Sequence, residues 1–512
     1  MANYYGIIYL SYRSLKLKII DLKKMTTLET VVADIPPTVA KNHVFTQELD
    51  TIIRGLHGFK QILKETGVTS FKMWANGQLL EPMTAAYLGE QIFTQTGFTI
   101  HWLNENQLIY LKAIGVLESL DEQIISDPSF YLLNFGSSSI TISKFAEQTF
   151  HTNWNFTLDE QLNHEVISSS TNTTANAIEI LDDIIGSDLI SFRNQFPFLD
   201  AGHTLIVQDA NFLNRIFLDK KGVKFTKLSS KKFLNIYEKV LYSPNQYLEE
   251  KYHIPLSEQT NLVARLILLK RIIALTKVKK IYLTSISAMT GLALAEGIQS
   301  HLLKRNYDSM IVSAAQYLAA RYDVDLNHCH NVIHNALHLF DQTQKIHHLG
   351  HDERLLLELA GYLSDIGNFI GHTDHFNHSA YIITASKLLG LSQTQIQIIA
   401  EVARLYNLQT SRQQINERLA QIPPTTGLII AKLVAILRLA GALDAAFEQK
   451  VTKTSISLKA NTLIVTAYST DDLTLEKWTF NRSANLFTTV FGIRPQLKQR
   501  MIVNKWKWKI NF

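Results

Sequence analysis

Cysteine is all but missing: the 512 residues contain one, Cys329. That excludes a disulfide framework and any Cys-rich zinc module, and a reducing compartment is the natural setting. Long apolar runs are also missing. The most apolar window read along the sequence, Leu262 to Leu275, is broken by Arg265, Lys270 and Arg271 and is too short to span a bilayer. The N-terminus, MANYYGIIYLSYRSLKLKII, lacks an uninterrupted apolar stretch followed by a small-residue cleavage site, so it reads as no signal peptide. Charge is scarce and nearly balanced. Charged residues make up 19%, and 50 Lys+Arg against 45 Asp+Glu leave a formal +5, too mild an excess to single out a partner. Apolar residues, by contrast, reach 46%. That is enough for a core in each of the three or four domains the length implies, and it excludes bulk disorder. The expectation is a soluble cytoplasmic protein with no membrane partner.

Residues 4–35 alternate and are rich in Tyr, Ile, Leu and Val, which predicts three short strands. Ile35-Pro36-Pro37 breaks the pattern. A helix over about 47–66, a strand over 71–75, a helix over 83–95, a strand over 98–103 and a helix over about 105–120 follow. The order then restarts. FYLLNF (130–135) and ITISKF (140–145) read as strands around the turn Gly136-Ser137-Ser138-Ser139, followed by a helix near 173–186, the strand TLIVQ (204–208), helix through 229–275 and the strand KIYLTS. A shared coarse order in the two halves predicts a duplicated α/β unit. From about Asp308 to 454 the pattern is nearly all helical and holds most of the histidines. SISLKA, TLIVTAYS, EKWTF and NKWKWKI then read as strands. Expected boundaries are 1–120, 121–303, 304–445 and 446–512.

Several segments resemble the exopolyphosphatase / guanosine pentaphosphate phosphohydrolase family. Ile100 to Leu111 (IHWLNENQLIYL) resembles its ISGEEEARLIYL stretch, with Glu105 on the last glutamate. Tyr9 to Leu17 stands where the family has the phosphate loop DIGSNSIRL. Ser14 survives and the acid is Tyr9. Asn134 to Ile142 stands where it has DIGGGSTEL. Gly136 and Ser139 match, Ser137 and Ser138 replace glycines, Asn134 replaces the first acid and Thr141 the last. Gln208-Asp209-Ala210-Asn211-Phe212 takes the place of GTGGT and has no glycine. The helical region matches better. Leu363-Ser364-Asp365-Ile366-Gly367 resembles LHDIG, His375 to Tyr381 resembles HHKHSAYLI, and Leu437 to Asp444 resembles LRLADALD. The resemblance implies a duplicated actin-like and sugar-kinase-like ATPase fold, then an all-α HD-like domain and a small C-terminal α+β domain.

It further implies a role for each motif residue. Glu105 would orient and deprotonate a water for attack on a terminal phosphate, since phosphoanhydride hydrolysis needs such an acceptor. Ser14, Gly136, Ser137, Ser138 and Ser139 would hold phosphate, and Mg2+ would be the cofactor, with Asn134 a weak ligand. Losing glycines and acids at these places costs close backbone approach and hard oxygen ligands. As a remnant of an HD-type metal site, His328, Asp365 and Asp444 survive, while Ser364 replaces the histidine of the His-Asp doublet. His330, His334 and His338 recur at i, i+4 and i+8, a spacing that can chelate and also suits a surface face. Lys505 to Lys509 alternates Lys with Trp, as in a strand with one basic face, and nothing resembles a sequence-reading nucleic-acid motif.

Three functions are therefore expected, in this order. The first is hydrolysis of terminal phosphate from inorganic polyphosphate, or from guanosine pentaphosphate, in a cleft between the first two domains. The second is a catalytically impaired relative that binds polyphosphate or regulates. The third is an HD-type metal phosphohydrolase. The resemblance also implies a homodimer.

Overall fold

The computed structural model describes residues 4–11, 14–35, 46–77, 80–120, 129–136, 140–146, 149–156, 166, 174–195, 204–208, 213–217, 223–254, 256–407, 410–459 and 461–502. The chain divides into two compact units, Met1–Tyr307 and Asp308–Phe512. A further division near 120 and near 445 is proposed from the sequence pattern.

The first unit holds two sheets. Strands β1 (Tyr4–Leu10), β2 (Ser14–Asp21) and β3 (Thr26–Asp34) form an antiparallel meander; β4 (Phe71–Asn76) lies parallel to β1 and β5 (Ile100–Leu103) parallel to β4, in the order β3-β2-β1-β4-β5. The second sheet repeats this with β6 (Ser129–Phe135), β7 (Ile140–Ala146), β8 (Thr149–Phe156), β9 (Thr204–Gln208) and β11 (Lys280–Thr284). The antiparallel strand β10 (Phe225–Leu228) is added at its edge. Once β10 is set aside, both sheets read third-second-first-fourth-fifth. The duplication expected from coarse pattern is thus present in the topology. The alternation of β2 explains its place: Leu15, Leu17 and Ile19 are fully buried on the face packed by the Thr46–Glu65 helix.

Two helices tie the halves of this unit together. Glu105–Ser119 and Ala288–Gln299 cross where Gly115 meets Gly291. A Cβ on Gly291 would lie 1.9 Å from the Leu111 carbonyl oxygen, so only glycine permits this approach. The second helix also reaches the first sheet. Glu296 accepts hydrogen bonds from the Tyr5 hydroxyl and from Lys72 Nζ, each at 2.8 Å.

The second unit is helical from Asp308 to Ala442 and ends in a sheet of order β12-β13-β14, formed by Lys453–Lys459, Thr462–Ser469 and Arg494–Met501. Among the described residues one helix, Pro424–Ala442, is long and apolar enough to cross a bilayer, with a mean hydropathy of 1.6. It is the central helix of this unit: Ile430, Leu433, Val434, Ile436 and Leu437 are completely buried, and Arg438 donates to the Leu405 carbonyl. Thus the most apolar segment is this one and not Leu262–Leu275. A second correction concerns EKWTF, read as a strand. It lies in the helix Thr474–Phe491, whose buried Glu476, Thr479, Phe480, Ser483 and Phe487 follow helical spacing. NKWKWKI lies outside the described residues.

Candidate functional site

The candidate site begins at the N-terminus of the helix Glu105–Ser119. Asn104 caps it. Its Oδ1 accepts from the Gln107 amide at 2.9 Å while Gln107 Oε1 accepts from the Asn104 amide at 3.1 Å, a reciprocal capping box. Glu105 follows in the first turn, where the helix dipole favours an acid. Lys112 comes seven residues later, two turns along and on the same side. Its ammonium donates to Asn134 Oδ1 at 2.9 Å.

Asn134 is one of a row. It pairs with Thr141 on β7 and with Gln208 on β9, and Gln208 pairs with Thr284 on β11. Paired residues on adjacent strands share a face. Four polar side chains therefore run side by side across the sheet at the carboxyl ends of β6, β9 and β11, where open α/β sheets bind ligands. All four are buried. Gln208 Nε2 donates to the Ile286 carbonyl, and Thr284 Oγ1 donates to the Lys224 carbonyl at 2.8 Å. Thr141 Oγ1 and Gln208 Oε1 are buried with no hydrogen-bond partner among the described residues.

The row contains no carboxylate and already holds a lysine ammonium. Tyr9, at the first acidic position of the resembling motif, has its phenol pushed well above the ordinary range by burial and stays neutral. Magnesium prefers carboxylate or phosphate oxygens and would face Lys112 as a like charge. These residues do not fit a resident divalent cation.

The other expected phosphate ligands divide in two. Ser14 is buried and closes the β1–β2 turn: Ser11 Oγ lies 2.9 Å from Ser14 Oγ and donates to the Ser14 carbonyl at 3.0 Å. Gly136 is partly buried, and its carbonyl accepts from Arg265 at 2.9 Å. Ser137, Ser138 and Ser139 lie outside the described residues, as do 209–212.

In the second unit, His328 and Asp444 do meet. His328 Nδ1 lies 2.8 Å from Asp444 Oδ2, Gln449 donates to the same carboxylate from its backbone at 2.7 Å, and the Phe447 ring stacks on the imidazole at 3.7 Å. Phe447 and Gln449 both adopt positive φ to reach over the pair. Burial pushes the Asp444 carboxyl up, but the hydrogen bonds from His328 and Gln449 outweigh it and hold the carboxyl below the usual range. Asp365 is pushed up by burial, against the pull of His328 and His375, whose Nε2 is 3.7 Å away. Ser364 turns away and donates to the Ala360 carbonyl at 2.6 Å. His328, Cys329, Asp365 and Tyr406 line one small cleft. Among the described residues no three His, Cys, Asp or Glu side chains are grouped to hold a metal, those of the histidine face included.

Neither Lys112 nor the polar row was singled out from the sequence. A single lysine inside a helix looks like any solvated position. The row exists only in the register of four strands spread from β6 to β11.

The chain is similar to several solved structures. They include an exopolyphosphatase from Cytophaga hutchinsonii (12% identity over 58% of this chain and 98% of that one, TM-score 0.48) and a Ppx/GppA family member from Aquifex aeolicus (10%, 58% and 98%, TM-score 0.48). A Bacteroides thetaiotaomicron protein with an actin-like ATPase fold is similar at 10% identity over 46% of this chain and 88% of that one, with TM-score 0.24. Residues 312–484 match the family model described as Ppx/GppA phosphatase, domain III. That segment spans most of the helical unit, where the motif matches were also strongest, so the likeness to the Ppx/GppA phosphatases is carried by domain III.

Proposed function

We propose that residues 1–307 bind a phosphate chain, either inorganic polyphosphate or the phosphate tail of a guanosine polyphosphate, as an exopolyphosphatase-like protein whose hydrolysis is impaired. The observation that carries this reading is the Lys112 ammonium fixed on Asn134 at the carboxyl ends of the strands. It puts a basic side chain beside the carboxyl ends of the strands, where a positive group draws an anion. Thr141 Oγ1 can add a donor. A cytoplasmic homodimer belongs to the same proposal.

A second reading keeps turnover, with Glu105 as the base and Mg2+ arriving bound to the substrate. It is favoured by the placement of Glu105 two turns before Lys112 on the same side of one helix. Hydrolysis from the helical unit draws no support from the geometry there.

One assay separates these readings: phosphate release from long-chain polyphosphate with magnesium, alongside a binding titration. The first reading expects salt-sensitive binding with little release, unchanged in Glu105→Gln. Release abolished by Glu105→Gln establishes the second reading. Release that survives that change but is lost in Asp365→Ala points to the helical unit.

A further inference from the structure

The C-terminal sheet has one covered face and one open face. On β13, Leu463, Val465 and Ala467 are buried on the face where their β14 neighbour Gln499 accepts a hydrogen bond from Lys477 of the helix Thr474–Phe491. The alternate residues face the other way. Register carries that face across all three strands, as Lys453–Tyr468–Arg500, Ser455–Thr466–Lys498, Ser457–Ile464–Gln496 and Lys459–Thr462–Arg494. Every one of these residues on β12 and β14 is exposed. The face therefore carries five cations, Lys453, Lys459, Arg494, Lys498 and Arg500, and no Asp or Glu. The whole chain has a formal +5. This one surface therefore holds as many positive charges as the entire net excess.

Its centre is not basic. Tyr468 lies between Lys453 and Arg500, which approach its ring centroid to 5.9 and 5.6 Å. Ile464 sits two rows along the same strand. Same-face residues on one strand lie about 6.7 Å apart and neighbouring strands about 4.8 Å apart, which spreads the cations as an array across the face.

We propose that this open sheet face binds single-stranded nucleic acid without reading its sequence. The charge selects a polyanion. The aromatic and apolar centre selects one that has bases, because a bare phosphate chain has nothing to set against Tyr468 and Ile464. Single-strand binders combine such backbone-tracking cations with a ring on which a base stacks. A duplex fits less well, since its bases are stacked inside and cannot lie against Tyr468. The inference stands apart from the Lys112 site and does not depend on it.

The test is fluorescence anisotropy of labelled oligo(dT) with the full chain as salt rises from about 50 to 200 mM. Five phosphate contacts on a single strand give a log–log salt slope of about −3.5, which is roughly a hundredfold loss of affinity over that range. A Lys453→Gln/Lys498→Gln/Arg500→Gln variant makes the slope shallower by about 2. Tyr468→Ser weakens binding about tenfold at fixed salt. All four side chains are on the solvent side, and an unchanged thermal midpoint confirms folding. A slope shallower than −1, or a triple variant that binds like wild type, overturns the proposal. So does inorganic polyphosphate displacing the oligonucleotide at equal charge while Tyr468→Ser has no effect. Ending the chain at Ile502 leaves binding intact if the sheet carries it; loss on truncation overturns the assignment.

Discussion

Lys112 Nζ stands 2.9 Å from Asn134 Oδ1, joining a helix of the first half of the α/β unit to the central strand of the second. An amide oxygen is a sufficient partner for an ammonium, but it does not cancel the charge.

Binding of polyphosphate to the full chain is accordingly expected to be unaffected by a chelator and to fall about tenfold or more in Lys112→Met, the scale of one hydrogen bond to a charged group. Titration calorimetry with and without EDTA checks both. Binding that requires added magnesium would contradict the assignment of Lys112 as the site's cation.

The glycine crossing yields a stability prediction. Adding one methyl at Gly291 drives it into the Leu111 backbone, which cannot rotate away as a side chain would. Gly291→Ala should destabilise the first unit by about 1–3 kcal/mol or more. A urea titration following that unit's transition measures it, and an unchanged midpoint would show that the helices do not cross so closely.

Cys329 offers a reporter for the other unit. It is buried, and burial together with the nearby Asp365 and Asp325 carboxylates pushes its thiol up to about 12. A thiol reagent at neutral pH should therefore label the native chain only through opening, which exposes roughly one molecule in a thousand or fewer. Prompt stoichiometric labelling without denaturant would mean that this packing is wrong.

Acid should act on two aspartates in opposite senses. The folded state holds the Asp444 carboxyl below its ordinary range, so its stabilisation is present above that range and is lost as pH falls through it. Asp444→Asn should cost about 1–3 kcal/mol at pH 7 and flatten the acid limb. Asp365 is raised, so its folded state favours the protonated form. Its cost therefore grows as pH rises above the carboxylate range, and Asp365→Asn should raise the thermal midpoint at pH 7. Melting curves at neutral and acid pH test the pair, and shifts of the same sign in both variants would refute this account.

Strands β1, β2, β6 and β9 were legible because half-buried or fully buried strands show their apolar residues directly. Two segments near the C-terminus, one strand and one helix, were not. RPQLKQRM reads as a polar linker, since only Pro495 and Leu497 mark its inner side, yet it forms β14. EKWTF has the aromatic density of a strand, and its helical period emerges only when Ser483, Ala484 and Phe487 are read with it. At the site, Glu105 and Asn134 were reachable through motif resemblance. Lys112 was not, because its meaning depends on a partner 22 residues away that only tertiary packing supplies. The His328–Asp444 contact likewise spans 116 residues, and the motif that suggested it said nothing of Phe447 closing over it.

The open C-terminal face has a consequence for handling the protein. With five cations on one sheet and a formal excess of five overall, the remaining charges sum to zero. The molecule is lopsided more than it is basic. A cation-exchange resin should grip it by that one sheet, and substitutions there should advance its elution much further than equal charge changes made elsewhere.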